Sequence, residues 1–231
     1  MSWLSREHRL LPDFRLDSAL LSGYRSVFQF DFESFSEFKV HGTTIKFSKI
    51  LGLGRTSSFS KKSNVDLGGL KHWLSLQEDL VFGFLSYDFK NELENLESAN
   101  GEKIGFPVIE FVVPEHVLIF TNRGWECFSH SDFAAEHPPL QCKTVLGKPL
   151  ATLKESNYIH QVENLKQHIQ FGDIYEVNFC VQHGFENSIV EPYGLYNELQ
   201  ETSPAPFSCY VADDGRYLMS SSPERFIRKV G

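Results

Sequence analysis

Long apolar runs are missing from this sequence. No stretch approaches the length needed to cross a bilayer as a helix, which argues against that kind of membrane protein. Paired cysteines are missing too. Cys127, Cys142, Cys180 and Cys209 are scattered with no Cys-x-x-Cys among them, so free thiols in a reducing cytosol are expected. None of the nine histidines belongs to a His-x-x-x-His pair. His160 and His168, with no third ligand near them in sequence, read as solvated rather than metal-binding. Positive charge is in deficit: 22 Lys and Arg stand against 30 Asp and Glu, a net charge of −8. That balance argues against nucleic acid and against an anionic membrane surface as partners. The opening residues, Met1-Ser-Trp-Leu-Ser-Arg-Glu-His8, carry charge at once and show no signal-peptide pattern. Repeats and low-complexity tracts are absent. The expectation is a cytoplasmic globular protein.

What is present is ordinary in bulk and unusual in one residue. The 231 residues suffice for one large domain or two small ones, with 41% hydrophobic and 23% charged residues. Phenylalanine occurs 21 times, which suggests a sheet-rich core. Residues 1–23 look irregular apart from a Leu-rich piece at 16–21. Phe28, Phe30 and Phe32 then alternate with polar residues, a half-buried strand over 24–32. A second strand over 43–51 ends in Gly52-Leu-Gly54-Arg-Thr-Ser57. That Gly-x-Gly lacks the following apolar helix of a phosphate loop, so Thr56, Ser57, Ser58, Lys61 and Lys62 read as an exposed loop. Asp66 is placed to cap a helix bearing Leu67, Leu70 and Leu74. A buried strand is expected within 79–88, and two more between 106 and 120 on either side of Pro114. Residues 129–139 read as a surface loop and 143–153 as a linker.

The second half has a clearer rhythm. Thr152-Leu-Lys-Glu155 fits a capping box, with Ser156 as an alternative cap. The helix that follows groups Tyr158, Ile159, Val162, Leu165 and Ile169 on one side, a face suited to lie on a sheet. Gly172 is expected to end it in the left-handed conformation. From Ile174 the period changes to two: Tyr175, Val177, Phe179, Val181 and Phe185 share one face, while Glu176, Asn178, Cys180 and Gln182 share the other. That polar face points either to solvent or into a polar cleft. Pro192 suits the first turn of a short helix bearing Leu195, Tyr196 and Leu199.

The most informative stretch is Ser203-Pro-Ala-Pro-Phe-Ser-Cys-Tyr-Val-Ala-Asp-Asp-Gly-Arg-Tyr-Leu-Met-Ser-Ser-Ser-Pro-Glu-Arg-Phe226. Pro204 and Pro206 keep the chain extended. Residues 207–212 read as a strand, Asp213-Asp214-Gly215 as a tight turn, and 217–222 as the returning strand. Pro223 has no N–H to donate and stops the ladder. Glu224 is thus a carboxylate at an interrupted strand, behind three hydroxyls. It reads either as a solvated partner of Arg225 or as a functional acid.

This stretch resembles the Ser-Pro-Ala-Pro-Phe … Ser-Ser-Ser-Pro-Glu-Arg-Phe element of the chorismate-utilising enzymes. That family includes component I of anthranilate synthase and component I of aminodeoxychorismate (para-aminobenzoate) synthase. Gly172-Asp-Ile-Tyr-Glu-Val-Asn-Phe179 resembles the family's Gly-Asp-Ile-Tyr-Gln-Val-Asn-Leu strand, and Gly83-Phe-Leu-Ser-Tyr-Asp88 its Gly-Tyr-Leu-Ser-Tyr-Asp strand. The resemblance covers residues 80–231 well and the first 80 poorly. It implies an α+β fold of two stacked antiparallel β-sheets with helices packed on the outside. Residues 1–150 would form the N-terminal region, and 151–231 the start of the chorismate-binding catalytic region. Family members run to about twice this length, so the chain is expected to be an N-terminal half and to be inactive alone. Magnesium would be the cofactor, with its carboxylate ligands expected beyond Gly231. The lysine of a Pro-Ile-Lys-Gly-Thr element would lie there too.

The resemblance also implies roles. Loss of the C4 hydroxyl from chorismate needs a general acid, because hydroxide leaves poorly; Glu224 matches the family's glutamate in that role. Glu176 stands where water-adding members carry Lys and ammonia-adding members usually carry Gln, which argues against isochorismate or salicylate chemistry. Asn178 and Ser203-Pro-Ala-Pro-Phe207 resemble the aminodeoxychorismate form rather than the anthranilate form. The implied function is amination of chorismate at C4, with ammonia from a glutamine amidotransferase subunit, toward para-aminobenzoate and folate. Anthranilate synthesis and a non-catalytic ligand- or subunit-binding module are the alternatives. Tryptophan, as regulator or structural ligand, would sit against residues 203–207, its other wall being loosely matched by Leu16-Asp-Ser-Ala-Leu-Leu21.

Overall fold

A computed structural model describes residues 6–40, 43–96, 103–134, 143–150 and 153–228. The chain divides into two compact units, residues 1–140 with 192–231 and residues 141–191. The first unit is α+β. Its strands are β1 (Glu7–Leu11), β2 (Ser26–Val40), β3 (Thr43–Leu53), β4 (Ser57–Lys61), β5 (Phe82–Leu85), β6 (Ile109–Val113), β7 (His116–Thr121) and β8 (Gly124–Ser129), and, as numbered below, β11 (Phe207–Asp213) and β12 (Arg216–Ser220). Seven of these form one antiparallel sheet in the order β1-β8-β7-β3-β2-β11-β12, and three form a second in the order β4-β6-β5. Helices α1 (Ser18–Ser22), α2 (Leu67–Ser75), α3 (Lys90–Leu93) and α5 (Pro192–Thr202) also belong to this unit. No helix of the described residues is long and apolar enough to cross a membrane.

The period-two alternation read from the sequence now has two destinations. Phe28, Ile50, Val117, Ile119 and Val211 point from the large sheet toward Phe82 and Val112 of the small one. Val27, Leu51, Leu118, Tyr210 and Ala212 point the other way, toward Leu20 and Leu21 of α1 and Tyr193 and Tyr196 of α5. Sheet stacks on sheet, and two helices close the far face. Each fully buried aliphatic or aromatic side chain contributes about 1.5–3 kcal/mol here. Gly52 lies on the sheet-facing side, where an added Cβ would come within 3.1 Å of the Phe82 ring and Pro114. The small sheet approaches that closely because glycine leaves the space.

Two ionic clusters tie the layers together. Arg55, between β3 and β4, donates to Asp213 Oδ1 at 2.6 Å and pairs with Glu110 of β6 at 3.5 Å. Asp213 also accepts from Ser26 Oγ and Arg216 Nη2, each at 2.9 Å. At the other end, Arg6 pairs with Asp79 at 2.9 Å and donates to the carbonyls of Pro114 (2.6 Å) and Glu115 (2.8 Å), where the chain passes from small sheet to large. This anchorage explains a strand absent from the sequence reading, β1, whose residues have little strand character of their own. Likewise, 57–61 are a strand rather than an exposed loop, because β6 supplies a ladder from Ser57↔Val113 to Lys61↔Ile109. β8, too, is set by its neighbours, paired with β7 and β1.

The second unit contains β9 (Lys148–Pro149) paired with β10 (Phe185–Glu186), and α4 (Glu155–Phe171). Helix α4 ends as expected, with Gly172 left-handed at φ +82° and Asp173 N–H bonded to His168 O at 3.0 Å. Its start differs: Lys154 is the N-cap residue with no side-chain bond, and Thr152 lies outside the described residues. The apolar face is not covered by a sheet, since Tyr158, Ile159 and Ile169 are exposed. The strand expected from Ile174 is corrected as well. Among the described residues, 174–184 belong to no strand, and Tyr175 is 92% exposed. Alternation alone does not make a strand where no neighbour offers a ladder.

Candidate functional site

The 203–226 segment folds so that its two ends meet. β11 and β12 form a hairpin closed by Asp214 and Gly215, both left-handed (φ +48° and +76°), the geometry for which Asp-Gly is favoured. Beyond β12 the pairing continues: Phe207 N–H donates to Ser222 O at 3.1 Å, and Ser221 Oγ donates to Ser203 O. The Ser-Pro-Ala-Pro-Phe run and the Ser-Ser-Ser-Pro-Glu run are therefore neighbours. Pro223 ends the pairing, and Ser222 Oγ donates to the Glu224 carbonyl at 3.1 Å, fixing a bend there.

Glu224 is exposed, and its carboxylate has no hydrogen bond or ion pair among the described residues. The neighbouring cation does not neutralise it. The Arg225 guanidinium instead sits 4.9 Å from the centre of the Phe207 ring. Glu176 belongs to the second unit, on the unpaired 174–184 segment, and is also exposed. Asn178 and Cys180 share that segment and that exposure.

Beside residues 204–206, against which tryptophan was expected, lies a cleft of about 320 Å³; none of residues 16–21, its expected other wall, lines it. It sits where β2 is bulged: Asp31 pairs with Lys49 and Ser36 with Phe47, a register shift between the two. Bulges bend a strand and re-aim its side chains. The lining comprises Asp31, Phe32, Lys49, Gln200 and the two prolines, Pro204 and Pro206. The Asp31 carboxylate is pinned from three sides: Gln29 Nε2 donates to Oδ2 at 2.8 Å, Tyr196 Oη donates to the same oxygen, and Lys49 Nζ stands 2.9 Å from Oδ1. Burial, then the charge of Asp31, holds the hydroxyls of Tyr193 and Tyr196 far above the usual phenol range, so both stay protonated. The Gln200 amide nitrogen is buried without a hydrogen-bond partner among the described residues. The cleft thus holds a carboxylate and an ammonium paired with each other, and one spare amide donor, between apolar walls. Its sequence signal was the polar pair Gln29 and Asp31 between phenylalanines, which reads as the wet side of a strand until α5 covers it.

No group of three or more His, Cys, Asp or Glu side chains that could hold a metal converges among the described residues.

A family model described as chorismate binding enzyme matches residues 55–231. The chain belongs to the chorismate binding enzyme family. Among curated proteins it is similar to aminodeoxychorismate synthase component 1 of Bacillus subtilis, 24% identical over 174 residues, covering 65% of this chain and 37% of that protein. It is also similar to anthranilate synthase component 1 of Thermus thermophilus, 26% identical over 170 residues with the same coverages of 65% and 37%. A shorter match, 34% identical over 73 residues, joins 31% of this chain to 8% of the chloroplastic aminodeoxychorismate synthase of Arabidopsis thaliana. The first two matches span little more than a third of the relatives' own length.

Proposed function

We propose that this chain is part of component I of an aminodeoxychorismate synthase, which replaces the C4 hydroxyl of chorismate with ammonia to give 4-amino-4-deoxychorismate. Glu224 carries this reading. It is a carboxyl without a partner among the described residues, directly behind a ladder-stopping proline and tied through Ser221 and Ser222 to the Ser203–Phe207 run. In the proposed step the Glu224 carboxyl gives its proton to the C4 oxygen as the C–O bond breaks, so that water leaves. Ammonia forms the new C–N bond and releases a proton. A carboxyl serves as acid near neutral pH when burial or a nearby anion raises its pKa, and the dianionic substrate would bring that anion. Ammonia would come from a glutamine amidotransferase subunit. Magnesium would be the cofactor, neutralising substrate carboxylate charge.

Asn178 and the Ser203–Phe207 run favour the aminodeoxychorismate product over anthranilate. Tryptophan would occupy the cleft beside Pro204 and Pro206, its ring between Phe32 and the two prolines. That assignment rests on the apolar walls of the cleft and on the Gln200 amide nitrogen left without a partner among the described residues.

The test compares two substitutions in the gene product carrying this chain, assayed with chorismate, ammonium and magnesium. Glu224→Gln keeps shape and removes the proton donor, so turnover falls by about a hundredfold to ten-thousandfold while chorismate affinity changes little. Glu176→Gln restores the residue usual among ammonia users and leaves turnover near normal. Near-normal turnover of Glu224→Gln beside a dead Glu176→Gln would reverse the two assignments.

A further inference from the structure

The two motifs that meet beside Glu224 also touch through a contact that proton transfer does not by itself require. Arg225 follows Glu224 directly, and the two read in sequence as a solvated ion pair. The structure separates them. The Arg225 guanidinium lies 4.9 Å from the centre of the Phe207 ring and pairs with no carboxylate among the described residues. Phe207 is itself fixed from other sides. Its N–H donates to Ser222 O at 3.1 Å, and its ring meets the Phe32 ring edge-on at 6.4 Å and 84°. Phe32 in turn meets Phe47 edge-on at 5.7 Å. The face offered to Arg225 is therefore held by β11 and by rings of β2 and β3, not by the residues next to Glu224. A planar guanidinium stacks well on such a face and is attracted by its negative quadrupole.

Other charges around Glu224 are few. Among the described side chains, Arg225 and Arg228 share its segment, the Ser203–Phe207 run carries none, and Glu201 precedes that run at the end of α5. Arg216 is committed to Asp213 at the far end of β12, and Lys49 of β3 to Asp31. An arginine paired with a carboxylate favours the charged form. A general acid must instead keep its proton until the leaving oxygen takes it. Arg225 is thus the neighbour that would compete with the acid, and Phe207 is where it is held.

We propose that Phe207 is a positioning residue for the acid: its ring keeps Arg225 off the Glu224 carboxylate, so that Glu224 stays available as a proton donor. This rests on Glu224 being the general acid. The experiment uses the gene product carrying this chain, with chorismate, magnesium and a fixed concentration of free ammonia. It reads the ratio of kcat at about pH 8 to kcat at about pH 6. Phe207→Leu keeps an apolar side chain against Phe32 and removes the ring face. Arg225 then turns to Glu224, and the ratio falls about fivefold, the size of an exposed ion pair. Phe207→Tyr keeps the face and the ratio of the parent. Adding Arg225→Met to Phe207→Leu restores that ratio, which a loss of packing alone would not allow. Should Phe207→Leu not fold, seen as a lost melting transition, Phe207→Met removes the ring while keeping a longer apolar stem. An unchanged ratio in Phe207→Leu, a lowered one in Phe207→Tyr, or no recovery on adding Arg225→Met would each overturn the proposal. A raised KM for chorismate in Arg225→Met alone would overturn it too, making Arg225 a substrate contact. Glu224→Gln tells the two readings apart. Near-normal turnover there removes the acid itself; slow turnover there, with an unchanged ratio in Phe207→Leu, removes only the role of Phe207.

Discussion

Asp213 and Glu110 are both about 1% exposed and share Arg55, yet they stand on opposite sides of the energetic balance. Asp213 accepts three well-formed bonds, so Asp213→Asn leaves two arginines short of a partner and should cost about 3–5 kcal/mol in urea unfolding. Glu110 is pushed up by burial and by the charge of Asp213, against the pull of Ser60 and Arg55. Its folded pKa is above its unfolded value, so the fold carries a penalty at pH above the folded pKa and loses it as pH falls toward the unfolded value. Glu110→Gln is therefore expected to be neutral or slightly stabilising at pH 7. A clear loss of stability would show that the Arg55 pair outweighs burial. His116 has the reverse sense: burial, with Arg6 and His130, holds its pKa below the usual range. Its contribution is present above the unfolded value and is lost as pH falls through the folded one, so the melting temperature should drop between pH 7 and 5, less so in His116→Gln. The thiols separate by the same physics. Burial pushes Cys127 up to about 11, so at pH 8 a disulfide reagent should label exposed Cys180 and reach Cys127 only on unfolding.

At the scale of elements, what the sequence disclosed was whatever its own residues pay for locally. Alternating phenylalanines marked β2, Pro114 marked the break between β6 and β7, and Asp214-Gly215 marked the hairpin. Gly172 marked the end of α4. Elements set by distant partners were not disclosed: β1 is held by Arg6 and β8, and β4 by β6. The 174–184 segment failed in the opposite sense, having the alternation without a strand partner among the described residues. The same division runs through the candidate site. Glu224 and the Ser203–Phe207 run were legible because they are contiguous motifs. The Asp31 cleft was not, since it needs a bulge in β2, a lysine from β3 and a glutamine from α5. An element-scale check is the N-cap of α1, where Asp17 Oδ1 accepts from Leu20 N–H at 2.9 Å. Asp17→Ala should cost about 1 kcal/mol, read as a lowered denaturation midpoint at unchanged slope. An unchanged midpoint would mean that α1 is held by Leu20 and Leu21 alone.

For the whole molecule, the family is fixed by a match over residues 55–231, while the particular reaction rests on a few side chains. The relatives divide between two products, aminodeoxychorismate and anthranilate, at similar identity, so overall similarity does not choose between them. The choice made here depends on Asn178 and on the Ser203–Phe207 run, which packs its phenylalanine against Phe32 of the bulged strand. The most direct measurement is the identity of the product. The gene product carrying this chain is incubated with chorismate, ammonium and magnesium, with and without the lyase that converts aminodeoxychorismate to para-aminobenzoate. Para-aminobenzoate is expected only when the lyase is added; anthranilate fluorescence appearing without it would show that the product is anthranilate instead.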